Sequence, residues 1–441
     1  MSDDKSQVKI KFFTNEKDES LKVSDAPLYV PISLKRFGLS EVVNHLLKKD
    51  DETDENKQIP FDFLIDGVLL RSSIQDYLIK NGLSNEAFIN LEYTRAVLPP
   101  SFLGSFNNED WISSIDTIKS TPNSNILSGA YDGIVRTYNM SGNVENQYVG
   151  HSGSIRSVKW ISPTRIVSAG NDRQVRLWKT NDDIGTTVAI LEGHKAPVVS
   201  LDVELKSNRI LSAGYDNVIG LWSTLHKEMT AIQPHEYDSK LLSTASKKRR
   251  KMALQDSTIR RRSPLSLLEG HTQPVEDVIF DSNDSSVGYS VSQDHTIKTW
   301  DLFTAKCVDT KTTGYSLLSI IQLPEKHLLV TGSSARHINL SDPRLSNKAD
   351  QISTKLVGHT NFVVSLSACP NNSNMFASGS HDGTVKVWDV RADKSLYTIT
   401  REDGNGSEKV FCVDWNNDIG IISGGSDKKL QINKGSDIAK N

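Results

Sequence analysis

The chain has 441 residues, 37% of them hydrophobic, with seven tryptophans and a formal net charge of −3. That length leaves room for more than one domain, and the near-neutral balance gives no general electrostatic reason to bind nucleic acid. Cys307, Cys369 and Cys412 lie far apart and make neither a disulfide framework nor a zinc site, which fits a reducing compartment, and neither a signal-type start nor a membrane span is expected.

Residues 7–14 alternate, with Val8, Ile10 and Phe12 on one side and Lys9 and Lys11 on the other, which predicts a half-buried strand. A second strand is expected around residues 21–23. From Leu39 the period becomes helical, with Leu39, Val42, Val43, Leu46 and Leu47 on one stripe and Ser40 as the expected cap. An acidic loop follows at residues 48–58. Then come a strand over 61–65, a turn at Asp66-Gly67, a short strand over 68–70, a helical turn over 73–80 and a closing strand over 87–94, with Ile89, Leu91 and Tyr93 inward. The expected order is ββαββ, a short helix, then β.

The rest of the chain repeats. SGSHDGTVKVWD (residues 378–389) has partners in SGAYDGIVRTYN (128–139), SAGNDRQVRLWK (168–179), SAGYDNVIGLWS (212–223) and SVSQDHTIKTWD (290–301). Each places Ser four residues before Asp and an aromatic six after it. The aspartates are Asp132, Asp172, Asp216, Asp294, Asp382 and Asp427, at intervals of 40, 44, 78, 88 and 45 residues. The 88-residue gap hides a degenerate copy, TGSSARHINLS (331–341), with Ala335 at the Asp place and Ser341 at the Trp place. Gly-His pairs end at His151, His194, His271 and His359, about twenty residues before the matching Asp. A period near 40 to 45 with Gly-His upstream and Trp-Asp downstream is the pattern of a propeller blade.

A buried aspartate needs partners, and His, Ser and the indole N–H supply them. Four structural networks are therefore expected: His151, Ser168, Asp172 and Trp178; His194, Ser212, Asp216 and Trp222; His271, Ser290, Asp294 and Trp300; His359, Ser378, Asp382 and Trp388. Ser, His and Asp together suggest a catalytic triad, but four near-identical sets in one chain are architecture, and an enzyme ranks last among the readings. The final copy lacks a fourth strand, and the segment near residues 96–106 is the expected donor that closes the ring.

The 78-residue interval holds an insertion, residues 226–263, with two basic clusters: Lys247, Lys248, Arg249, Arg250 and Lys251, then Arg260, Arg261 and Arg262. The stretch reads as too polar to pack. Its spacing looks like a bipartite nuclear-import signal, the same charges suit RNA phosphates, and a solvated loop is the plainer alternative.

FLIDGVLLRSSIQDYLIKNGLSNEAFINLEY (residues 63–93) resembles the second half of a ubiquitin-like domain, with Ile74, Asp76, Tyr77 and Leu91 at the matching places. The resulting fold class is mainly β: a seven-bladed WD-repeat β-propeller preceded by a small α+β ubiquitin-like domain. The expected boundaries are a first domain at 1–95, a linker and closing strand at 96–110, and the propeller at 111–441. With the stretches PISLKRFGLSEVVNHLL, SFNNEDW, EGHKAPVVS, TIRRRSPLSLLEGH and GSSARHINLSDPR, the chain resembles the WD-repeat member of the pescadillo–block-of-proliferation (PeBoW) complex, a family of large-subunit ribosome assembly factors. The Notchless family shares the first domain but has a longer, eight-bladed propeller.

The resemblance implies the rest. The propeller would dock on the block-of-proliferation WD-repeat protein and, through it, join pescadillo. The first domain would engage midasin, an AAA ATPase whose metal site holds Mg²⁺ with one position open, and Glu86 is the matching residue that would fill it. No cofactor intrinsic to this chain is implied, only that shared Mg²⁺. ATP-driven force would then release the protein from the pre-60S particle in the nucleolus and nucleoplasm, with rRNA contact possible and no membrane involved. The competing reading is a ubiquitin-pathway adaptor, which calls for an apolar patch on the ubiquitin-like sheet rather than dependence on Glu86.

Overall fold

The computed structural model describes residues 6–16, 18–47, 58–84, 86–118, 125–181, 184–232, 256, 258–345, 354–401 and 408–435. The chain divides into two compact units, residues 1–99 with 435–441, and residues 100–434.

In the first unit the strands are β1 (Gln7–Phe13), β2 (Leu28–Pro31), β3 (Phe61–Ile65), β4 (Val68–Leu69) and β5 (Phe88–Arg95), with helices α1 (Arg36–Leu47) and α2 (Ile74–Lys80) between them. The sheet order is β2-β1-β5-β3-β4. The two long strands β1 and β5 run parallel in register Lys9↔Phe88 to Phe13↔Glu92, and the other pairs are antiparallel. Alternation decides the buried face: Val8, Ile10, Phe12, Ile89, Leu91 and Tyr93 meet Leu39 and Val43 of α1 and Ile74 and Leu78 of α2. Helix α2 begins with a capping box, in which Ser73 Oγ accepts from the Asp76 N–H at 3.1 Å and Asp76 Oδ2 accepts from the Ser73 N–H at 3.1 Å.

Two local expectations fail here. Leu21 lies in a 3₁₀ turn, Glu19–Leu21, capped by Asp18, and the second strand comes later, at β2. The Tyr93 hydroxyl, which donates to Leu21 O at 2.6 Å, fixes that turn against the core. Ser40 is not a cap. It lies inside α1, buried, where its Oγ accepts from the Phe61 N–H at 3.1 Å and so ties the helix to β3.

The second unit is a run of four-stranded antiparallel meanders. The first two, joined through the parallel pair Gln147↔Ile184, make a ten-stranded sheet together with the short strands Ala231–Ile232 and Arg260–Arg262, and five more four-stranded sheets follow among the described residues. The inner strands are Ile112–Thr117, Ile155–Ser162, Val198–Glu204, Val275–Phe280, Leu317–Leu323, Val363–Ala368 and Val410–Asn416. Each packs on the next, and the last packs on the first, so the sheets form a ring. The last sheet takes its fourth strand from before the first: β6 (Ser101–Asn107) lies antiparallel to Lys429–Lys434, from Lys429↔Asn107 to Lys434↔Ser101.

Side chains latch neighbouring inner strands. Asp116 Oδ2 accepts from the Trp160 N–H at 2.7 Å, Asp202 Oδ2 from Phe280 N–H at 2.8 Å, and Asp277 Oδ2 from Ile320 N–H at 2.8 Å. Ser157, Ser365 and Ser367 do the same for Leu201, Val413 and Trp415. Thr117 donates to Asp414 Oδ2 at 2.5 Å and joins last to first. The periodicity argument missed these latches, whose signal is the Ser or Asp inside each inner strand.

Candidate functional site

The four expected networks assemble with one geometry. His151 Nδ1 is 2.7 Å from Asp172, His151 Nε2 is 2.7 Å from Ser168 Oγ, and the Trp178 indole N–H donates to Ser168 Oγ at 2.7 Å. In the next set, His194 lies 3.0 Å from Asp216 and 2.7 Å from Ser212, which accepts from Trp222 at 2.8 Å. His271, Asp294, Ser290 and Trp300 repeat it at 2.8, 2.7 and 2.8 Å, and His359, Asp382, Ser378 and Trp388 at 2.8, 2.7 and 2.7 Å. Since the serine oxygen already accepts from Trp, its own hydrogen points to His Nε2, and His donates from Nδ1 to Asp. Burial pushes the Asp172 carboxyl up, but the hydrogen bonds from His151 and the Ser152 N–H and the charge of Arg176 outweigh it and hold the group below the usual carboxylate range. Burial lowers His151 and His271 and keeps them neutral. The serines are fully buried and their oxygens are occupied, so the sets hold blades together and offer no nucleophile.

The imperfect copies solve the same problem differently. In the last sheet Arg401 takes the histidine's place, with Nε and Nη2 on Asp427 at 2.7 and 2.6 Å and Nη1 on Ser423 at 2.7 Å. The sequence pattern missed it because it sought Gly-His. In the degenerate sheet Thr331 Oγ1 and Ser341 Oγ are buried without a hydrogen-bond partner.

The basic insertion splits in two. Lys247, Lys248, Arg249, Arg250 and Lys251 lie outside the described residues. Arg260, Arg261 and Arg262 are not part of a loop too polar to pack. They form a strand, Arg260–Arg262, parallel to the outer edge of the second meander (Ala189↔Arg260 to Leu191↔Arg262) and antiparallel to Ala231–Ile232. Arg261 is 5% exposed and donates to Glu192 Oε1 at 2.5 Å, while Arg262 Nε donates to the His226 carbonyl at 2.8 Å. Four residues before this strand, Asp256 receives both Nη1 and Nη2 of the buried Arg176, at 3.0 and 2.6 Å. The reason is edge protection: the insertion covers an open strand edge, where Arg261 and Arg262 find a carboxylate and a carbonyl and the exposed Arg260 lies 3.0 Å from the His226 ring nitrogen.

Glu86 sits in the turn between α2 and β5. The Leu83 N–H bonds to Leu78 O at 2.9 Å, and the Ala87 N–H to Ser84 O at 3.1 Å, so both ends of the turn are pinned. Gly82, at φ +64, takes the left-handed conformation that turns the chain out of α2. The strand that follows, β5, is paired on both sides, which makes the base rigid. Glu86 is exposed, and its carboxylate has no hydrogen bond or ion pair with any other described residue. Around it in the chain stand exposed apolar side chains that sequence reading passed over: Ile79 at 70%, Leu83 at 45% and Phe88 at 51% exposure. The sheet's outward face carries Lys9, Lys11, Asn90, Glu92 and Thr94, with exposed Phe88 and Tyr29 on either side of Lys9.

No three His, Cys, Asp or Glu side chains converge on a possible metal position among the described residues.

Comparison with known proteins places this geometry. Residues 8–78 match the family described as NLE (NUC135) domain, and residues 142–179, 185–223, 262–301 and 350–389 match WD domain, G-beta repeat. The whole chain is similar to ribosome biogenesis protein YTM1 of Scheffersomyces stipitis (74% identical), Debaryomyces hansenii (73%) and Saccharomyces cerevisiae (60%), in each case over 100% of both chains. The chain belongs to the YTM1 family of ribosome biogenesis proteins, with a small α+β NLE domain ahead of a WD-repeat propeller.

Proposed function

We propose that the protein is a non-catalytic assembly factor of the 60S subunit, acting in the nucleolus and nucleoplasm, whose first domain is a handle for an ATP-driven remodelling machine. In this reading Glu86 supplies the missing ligand of the Mg²⁺ site of midasin. A hard divalent cation takes oxygen ligands in near-octahedral geometry, and a carboxylate adds charge neutralisation to the bond. The observation that carries the reading is Glu86 itself, an exposed carboxylate with no partner among the described residues, in a turn whose neighbours in the chain include exposed Ile79, Leu83 and Phe88. Those apolar neighbours would exclude water around the metal bond and strengthen it. The ubiquitin-adaptor reading calls for an apolar patch on the sheet, where Tyr29 and Phe88 stand exposed beside Lys9, and dependence on Glu86 separates the two readings.

The propeller then anchors the handle by docking on the block-of-proliferation WD-repeat protein and, through it, pescadillo. The residues left for nuclear import or rRNA contact are Lys247, Lys248, Arg249, Arg250 and Lys251. The test in cells is to express Glu86→Ala beside the native protein and follow pre-60S particles by sedimentation. The expected outcome is a variant that enters the particles and stays on them, with large-subunit rRNA precursors accumulating. A variant that leaves the particles at the native rate would overturn the reading.

A further inference from the structure

Each meander of the propeller places two residues at one mouth of the ring, joined by one backbone hydrogen bond: Tyr131 N to Trp111 O, Asn171 N to Ser154 O, Tyr215 N to Pro197 O, Gln293 N to Pro274 O, Ser334 N to Ser316 O, His381 N to Phe362 O and Ser426 N to Lys409 O, all 2.9 to 3.0 Å. The fold is satisfied by Ser, Asn, Pro or Gln at these places, so bulky rings there answer no structural need. Yet rings fill one continuous arc. Phe362 and His381 are 6.1 Å apart, His381 and Phe411 5.6 Å, Phe411 and Trp111 5.9 Å, and Trp111 and Tyr131 5.5 Å. Trp111 and Phe362 are each 43% exposed. Ring closure brings these residues together from distant parts of the chain. The Arg156 guanidinium lies 5.9 Å from the Tyr131 ring centre and donates to its hydroxyl at 2.7 Å, which holds that ring in place.

The arc borders a cavity of about 440 Å³ that leads into the ring. Its wall carries Asp202, Glu276 and Asp277 against Arg156 and Lys159. Lys159 sits in the field of Asp116, Asp202, Asp414 and Asp277, while Arg156 donates to the neutral Tyr131 hydroxyl and lies in the field of Glu276. Three carboxylates thus face two cations on the cavity wall, and π-faces border its mouth, a combination that favours a cation.

We propose that this mouth is a docking site for an arginine-bearing segment of a partner protein, whose guanidinium stacks on the Trp111–Phe411 shelf and points toward Glu276 and Asp277. Guanidinium suits both halves of the site, since it is planar, weakly hydrated and permanently charged. Burial pushes Asp277 up to about 6 and raises Glu276, and an added positive charge nearby would favour their ionised forms. Trp, Tyr and Arg are also the side chains that dominate binding energy at protein interfaces.

The test uses the full-length protein, titrated calorimetrically at physiological salt with three probes: a short alanine–glycine peptide carrying arginine, the same peptide with neutral citrulline, and an oligouridylate. The expected result is saturable binding of the arginine peptide, weakened about tenfold by citrulline and about tenfold by Trp111→Leu with Phe411→Leu. An unchanged melting transition in that variant excludes misfolding as the cause. Equal binding of both peptides, absence of saturable binding, or indifference to the double substitution overturns the proposal. So does an oligouridylate that binds through the same rings while the peptide does not, which would make the shelf a base-stacking platform.

Discussion

At the residue scale the molecule turns on how buried hydroxyls are used. Ser378 Oγ accepts from the Trp388 indole and bonds His359, so both rings have partners in a dry interior. Removing it strands two buried polar groups. Ser378→Ala is expected to lose about 2–3 kcal/mol in denaturant unfolding. Thr331, at the equivalent place in the degenerate sheet, has no partner for its hydroxyl, and no tryptophan faces it. Thr331→Val keeps the shape and removes the unmet polar group, so it is expected to gain about 1 kcal/mol by the same measurement. The four full networks were legible because Gly-His, Ser, Asp and Trp recur at fixed spacing. Arg401 was not, because a bidentate guanidinium does the histidine's work from a position the repeat does not mark. Glu86 stood out only by resemblance. Its lack of partners and its apolar neighbours are properties of the folded turn that spacing cannot express.

At the element scale the insertion is the instructive case. Eight cations read alike in sequence, yet Arg260, Arg261 and Arg262 belong to a strand that covers the edge of the neighbouring meander. Their carboxylate and carbonyl partners lie far along the chain, as Glu192 does from Arg261, so no local pattern revealed the pairing. Asp256 is the clasp. Asp256→Ala leaves Arg176 buried without its counter-ion and is expected to destabilise the protein by about 3 kcal/mol, seen as a lowered unfolding midpoint. Neutralising Lys247, Lys248, Arg249, Arg250 and Lys251 to glutamine is expected to leave that midpoint unchanged while altering nuclear entry or rRNA crosslinking. Deleting the whole stretch to Arg262 would confuse these effects, because it removes the clasp and the covering strand together with the cations.

At the scale of the whole molecule, side-chain latches between inner strands make the ring cooperative, and they give it a pH signature. Asp277 keeps its proton to about 6 in the folded ring, against 3.8 for an ordinary aspartate. Between those values the folded state binds more protons than the unfolded state, so this group's contribution to stability falls as pH rises through the window. Asp172, Asp216, Asp294 and Asp382 are lowered instead, and their contribution is lost only as pH falls below the ordinary aspartate range. Asp277→Asn removes the titrating group and is therefore expected to flatten the pH dependence of the melting temperature between about 4 and 6, while its amide NH2, facing a donor, weakens the latch. The repeat period made the meanders legible and the alternation of β1 and β5 made the first unit legible, while the latches, the clasp and the aromatic mouth depend on contacts between distant residues. The proposed function makes Glu86 the grip of a handle. The most direct test is binding of the isolated midasin metal-site domain to the full-length protein and to Glu86→Ala, each with Mg²⁺ and with EDTA, and with binding to the block-of-proliferation partner as the folding control. Tight binding is expected only when Mg²⁺ and Glu86 are both present. Binding by Glu86→Ala as strong as that of the native protein would contradict it.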